Sequence, residues 1–235
     1  MHDDGSLSQR SVGDLLPRLF SFQRTDTLRL LHENWMQRLT REAFDIMRSD
    51  ATVLERDGFG EKVLALKDGT FLKLFRRKSW LSKNLFVSPA QRFARNAESL
   101  AIRGIPSPAV IRLYYLRFPY RSVIHYRPLP GQTLREIVSE CASEMQLEAM
   151  EKLPDFVRNL HDAGVYFRSL HFGNIVYTPQ RQFGLIDISD MSCSRRPLSR
   201  NKRRRNIKHL LRTKSDWSML PLDVAQRTIK ELLTH

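Results

Sequence analysis

The chain has 235 residues, 41% of them hydrophobic, enough for one large domain or two small lobes sharing a core, which excludes wholesale disorder. Thirty-nine Lys and Arg against 25 Asp and Glu give a formal net charge of +14, pointing to polyanionic company: nucleic acid, a phosphorylated glycolipid or an anionic membrane face. Cys141 and Cys193 are too few for a disulfide scaffold or a four-thiolate zinc site. The polar, acidic start MHDDGSLSQRSVGD has no apolar signal region, and no apolar run approaches the ~18 residues of a membrane span, so a reducing, cytoplasmic setting is expected.

Residues 1–50 read as a helical extension, with Leu28, Leu30, Leu31, Trp35, Leu39, Phe44 and Met47 able to line one stripe. From Ala51 the texture changes: ATVLER, DGFG and EKVLALKDGTFLKLF predict three antiparallel strands, with Asp68-Gly69 marking a hairpin. Ser88 as N-cap and Pro89 at the first helical position start a helix that stops near Gly104. Two more strands, AVIRLYYLRF and SVIHY, complete a first lobe over 51–128. Leu129-Pro130-Gly131 is a linker into a mainly helical second lobe, 129–235. There a helix starts near Thr133, a longer one spans roughly 146–162 with Gly164 as its C-cap, IVYT and FGLIDI form short strands, and a last helix covers roughly 221–233. Between 194 and 214 stand ten Lys or Arg and no acid. The whole predicts an α+β, two-lobed plan.

The segment FRSLHFGNIVYTPQRQFGLID, 167–187, carries the chemistry. A loop ends at Asn174, a hairpin follows, and Asp187 closes the second strand thirteen positions on, so an amide oxygen and a carboxylate can converge. One Asn and one Asp suit Mg²⁺, which takes few protein ligands and leaves room for phosphate oxygens.

These residues resemble the catalytic loop and metal-binding segment of the protein-kinase-like superfamily, in texture its bacterial lipopolysaccharide-core (heptose or Kdo) sugar kinases, whose loop reads H-G-D-L-H-x-G-N. Leu170, His171, Gly173 and Asn174 match that pattern. The resemblance covers about residues 50–215 and implies a two-lobed kinase-like fold, a small antiparallel sheet lobe plus a mainly helical one. It implies ATP and Mg²⁺ as cofactors, with Lys73 on the ATP phosphates, Glu98 as the helix carboxylate that pairs with Lys73, Asn174 and Asp187 on the metal, and HYRPLPGQTL as the hinge. Each residue alone has a plainer reading: a solvent-facing strand lysine, an exposed helix glutamate, a turn-forming asparagine and a capping aspartate. Gly58 and Gly60 offer a partial phosphate-covering loop, which a hairpin turn explains equally well.

The chain departs from the family where the catalytic aspartate stands. It has Ser169 there, and Phe167 replaces the usual histidine. Ser169 cannot act as the ordinary carboxylate base. His171 is either a substitute base or a structural hydrogen-bond partner of the loop, and Asp190 is a further carboxylate nearby. The basic run, with Arg195, Arg196, Arg203, Arg204 and Arg205, resembles the acceptor side of lipopolysaccharide-core kinases. The expected function is therefore ATP-dependent phosphorylation of a core glycolipid sugar, with peripheral contact at the anionic inner membrane. A pseudokinase that binds nucleotide or scaffolds envelope-assembly enzymes is the alternative. A nucleic-acid binder is a third reading, disfavoured because no aromatics interleave with the basic run.

Overall fold

Alternating apolar residues between glycine turns build the first layer of the molecule, and the alternation decides which way the buried Lys73 points. The computed structural model describes residues 36–76, 87–140 and 144–234, all within one compact unit, 35–235. The expected helical stripe from Leu28 to Trp35 lies outside the described residues.

Strands β1 (Gln37–Arg38), β2 (Thr52–Asp57), β3 (Gly60–Ala65), β4 (Phe71–Arg76), β5 (Ala109–Leu116) and β6 (Arg121–Arg127) form one sheet in the order β1-β5-β6-β4-β3-β2. The expected antiparallel pairings are all present, but β1 joins β5 in parallel, so the sheet is mixed. Residues 37–48, grouped by sequence with the N-terminal extension, thus belong to the sheet layer: helix α1 (Arg41–Arg48) buries Phe44 against Leu39, Leu64, Leu72, Leu74, Leu116 and Val123. Along β4 the side chains alternate. Leu72 and Leu74 enter that small core, while Phe71 and Phe75 pack on the main core of the opposite face, the face to which Lys73 also belongs.

Helix α2 (Pro89–Ile102) crosses that second face. Its start is set as the sequence predicts, with Pro89 in the first turn and a reciprocal capping box between Ser88 and Gln91. Phe93, Ala97 and Leu100 form its buried stripe. After β6, the two-residue β7 (Gln132–Thr133) leads into α3 (Leu134–Ser139), capped by Thr133, and then α4 (Glu144–Asp162). Gly131 is required at φ 130°, where a Cβ would run into the backbone of Tyr177 and Thr178.

Strands β8 (Val165–Phe167), β9 (Ile175–Tyr177), β10 (Phe183–Leu185) and β11 (Met191–Cys193) carry the loops of the site. The expected hairpin is β9–β10, with Ile175 opposite Leu185. The β8–β11 pair has no counterpart in the predicted elements, because three residues are too few to show a period. Helices α5 (Arg200–Leu211), α6 (Lys214–Ser218) and α7 (Leu222–Leu233) finish the chain. One apolar core runs from Phe93 and Tyr126 in the first layer through Leu153, Phe172 and Leu185 to Trp217 and Leu232 in this second half. The result is α+β: a six-stranded sheet layer with a helix on each face, then a mainly helical body.

Candidate active site

Two buried side chains anchor the loop that follows β8. Leu170 and Phe172 are fully buried, and Ser169, His171 and Gly173 between them stay partly open. Asn174 ends the loop and is itself buried. Its Nδ2 donates to the Ser169 carbonyl at 2.9 Å and to His171 Nε2 at 3.1 Å. A carbonyl can only accept, so this pairing fixes the amide orientation and leaves Asn174 Oδ1 as the group free to meet a ligand.

The β9–β10 ladder continues one step beyond the strands, with the Ile186 amide donating to the Asn174 carbonyl at 3.0 Å. That step leaves Asp187 one residue beyond the Ile186–Asn174 pair. Asp187 is left-handed, φ 52° and ψ 42°, a conformation that short polar residues tolerate better than most. The turn redirects its carboxylate from the end of β10 to the sheet. There Lys73 Nζ donates to Asp187 Oδ1 at 2.6 Å, bridging 114 positions of sequence. The lysine side chain is 11% exposed and the aspartate 45%, so the cation sits deep and the carboxylate lies at the mouth.

That ion pair corrects one expectation. Lys73 pairs with Asp187, whereas Glu98 makes no hydrogen bond or ion pair among the described residues. Burial alone pushes the Glu98 carboxyl up from its ordinary value. The α2 residue that reaches the site is Asn96, one helical turn from Phe93. Its Nδ2 donates to the carbonyls of Ile188 at 2.6 Å and Met191 at 3.0 Å, gripping the short 3₁₀ turn Ile188–Asp190. The sequence carried a signal for it: a polar residue standing on an apolar stripe.

Ser169 Oγ donates to Asp190 Oδ2 at 2.6 Å. His171 is committed inward. Because its Nε2 accepts from Asn174, the hydrogen is on Nδ1, which is buried without a hydrogen-bond partner. Burial first, and then the Arg135 guanidinium, push the His171 pKa down from its ordinary value. Arg135 is held bidentately by the buried Asp216, at 2.8 and 3.0 Å. It also fills the space beside Gly173, where a Cβ would lie 2.7 Å from Arg135 Nη1. Of the two readings of His171, this geometry favours the structural one: a base there would have to break the bond that orients Asn174.

Gly58 and Gly60 lie in the exposed β2–β3 turn, with no atom within 4 Å of an added Cβ at either position. Gly60 serves the turn through its φ of 114°. The basic residues divide. Arg195, Arg196, Arg204 and Arg205 are exposed. Arg203 is not a free anion ligand, because it donates to Asp162 at 2.6 Å and to the Leu198 carbonyl at 3.0 Å. The exposed side of α5 adjoins the loop. His209 is pushed down first by burial and then by Arg212, Arg168 and Arg205, while Asp190 opposes them, so these charges share one neighbourhood.

Asn174 Oδ1 and the Asp187 carboxylate are hard oxygen donors of the kind Mg²⁺ takes when phosphate and water complete its shell. Among the described residues no group of three His, Cys, Asp or Glu forms a metal cluster, so an all-protein cage is not the fit.

No protein-family model matches the chain, and no curated protein matches it in sequence. Among solved structures it is similar to one described as the co-crystal structure of WbdD and the kinase inhibitor LY294002, at 12% identity and a TM-score of 0.40. The match covers 73% of this chain and 43% of that one, so the chain spans less than half of that structure's length. No helix among the described residues is long and apolar enough to cross a membrane.

Proposed function

We propose that the protein binds ATP with Mg²⁺ and transfers the γ-phosphoryl group to a hydroxyl of an anionic acceptor, a sugar of the lipopolysaccharide core, at the inner face of the membrane. The observation that supports this reading is the Lys73–Asp187 ion pair across 114 positions, with Asp187 one residue beyond Ile186, whose amide bonds the Asn174 carbonyl. Lys73 would hold the nucleotide phosphates as a deep point charge. Asn174 and Asp187 would hold Mg²⁺, which supplies charge neutralisation for the phosphates. The acceptor class rests on the cationic side of α5 beside the loop, since a phosphorylated glycolipid offers both hydroxyls and negative charge.

The test is calorimetric titration of ATP with and without Mg²⁺, followed by transfer of labelled γ-phosphate to purified rough-type lipopolysaccharide. Asp187→Asn, which removes the charged metal ligand, should abolish the Mg²⁺ dependence of binding. Mg²⁺ dependence that survives in a folded Asp187→Asn protein sinks the metal assignment. A second reading, nucleotide binding without transfer, is favoured by two observations: Ser169 stands where the resemblance implies a catalytic carboxylate, and Glu98 does not hold Lys73.

A further inference from the structure

Ser169 removes a carboxylate from the loop, but the fold brings one back from elsewhere. We propose that Ser169 and Asp190 act as one acceptor-activating pair, in which Asp190 supplies the carboxylate the loop lacks. The inference rests on the phosphotransfer reading above.

Ser169 Oγ donates its hydrogen to Asp190 Oδ2 at 2.6 Å across 21 positions of sequence. Both partners are clamped independently. The Ser169 carbonyl is held by Asn174, and the neighbouring Leu170 is fully buried. Asp190 ends the 3₁₀ turn that Asn96 grips at Ile188 and Met191, with Ile188 fully buried. The serine hydroxyl has one hydrogen, and Asp190 takes it, so the oxygen lone pairs are what Ser169 offers to a ligand. An acceptor hydroxyl would therefore donate to Ser169 Oγ. The pair lies beside the arginines that flank His209, which suits an acceptor carrying negative charge.

The step balances with ATP as phosphoryl donor. The acceptor oxygen forms a bond to the γ-phosphorus, and the bond from that phosphorus to the bridging oxygen breaks, its electron pair leaving on ADP. The acceptor proton moves to Ser169 Oγ while the serine's own proton moves to Asp190 Oδ2. Ser169 is thereby regenerated, and the protonated Asp190 returns its proton to water after product leaves. Ser169 touches the acceptor and is the catalytic residue; Asp190 acts through it and is a positioning residue.

The experiment compares wild type, Ser169→Ala, Asp190→Asn and the double variant Ser169→Asp with Asp190→Asn. It measures ATP affinity and the turnover of γ-labelled ATP with Mg²⁺, water and rough-type lipopolysaccharide serving as acceptors. In Asp190→Asn, kcat should fall about 10²-fold while ATP affinity and KM stay within about threefold, and Ser169→Ala should lose turnover to a similar extent. The double variant should recover about tenfold or more of the loss, because it places a carboxylate directly at the acceptor. Turnover within about twofold of wild type in Asp190→Asn overturns the pair, as does a loss that tracks weakened ATP binding. Wild type that binds ATP with Mg²⁺ but turns nothing over overturns the pair and leaves the nucleotide site standing. Wild type that binds no ATP overturns the phosphotransfer reading as well.

Discussion

At the scale of single residues, the contact that organises the site is Lys73 to Asp187, a buried cation meeting a carboxylate at the mouth. A strand lysine would ordinarily face water, and Lys73 does not because it shares the face of Phe71 and Phe75 that packs on the main core. Such a cation is available to phosphate oxygens without a large rearrangement, since its head already points where an anion sits. Lys73→Ala should therefore weaken ATP binding about 10- to 100-fold, the range for losing a charge-assisted contact. Titration calorimetry reads this directly, and unchanged affinity in a folded variant would remove Lys73 from the proposed nucleotide site. His171 acts at the same scale but in another role, as the acceptor that holds Asn174 with its oxygen outward.

At the scale of elements, the decisive piece is the turn from Asp187 to Asp190, which carries one carboxylate toward the sheet and another toward the loop. One local bond, from the Met191 amide to the Ile188 carbonyl, closes the turn but does not tie it to the rest of the molecule. Asn96 does so from α2, satisfying the carbonyls of Ile188 and Met191 in a buried setting. Asn96→Leu keeps the branched shape of the side chain but strands the Met191 carbonyl, while the Ile188 carbonyl keeps only its bond from the Met191 amide, and an unsatisfied buried group costs ~1–3 kcal/mol. The variant should unfold at lower urea concentration by that order, and its ATP affinity should fall even though Asn96 lies outside the proposed ligand set. A variant as stable as wild type would show that the turn is held by other means.

At the scale of the whole molecule, long-range polar contacts join the helices to the strands that carry the site. His161 on α4 is fully buried and shares a 3.2 Å hydrogen bond with Asn206 on α5. The amide nitrogen of Asn206 then donates to the Phe167 carbonyl at 2.5 Å, at the head of the loop. Asn206 Oδ1 is therefore an acceptor, so His161 carries its hydrogen on Nε2. Burial holds the His161 pKa down from 6.5 to about 4, with the Asn206 bond and Asp162 opposing and Arg203 assisting. Protonation is thus easier in the unfolded chain. Stability from this group is complete above pH 6.5, declines as pH falls toward 4, and amounts to roughly 3 kcal/mol lost across that window. Urea midpoints between pH 7.5 and 4.5 should show the decline in wild type and a shallower one in His161→Gln. Parallel slopes would remove His161 as the acid-labile element.

The sequence by itself determined the elements whose causes are local. Glycine turns and alternation place β2 to β6, the Ser88–Pro89 start places α2, and the thirteen-residue spacing returns Asp187 to Asn174 because a hairpin has no other way to close. The resemblance placed Lys73, Asn174 and Asp187 in one site, but not the bonds between them. Tertiary structure alone decided that Lys73 pairs with Asp187 and not Glu98, that Asp190 meets Ser169, and that Arg203 is committed to Asp162. Those contacts span 114, 21 and 41 positions. They depend on how far each helix turns and how each loop is clamped, which periodicity and spacing within one segment do not encode.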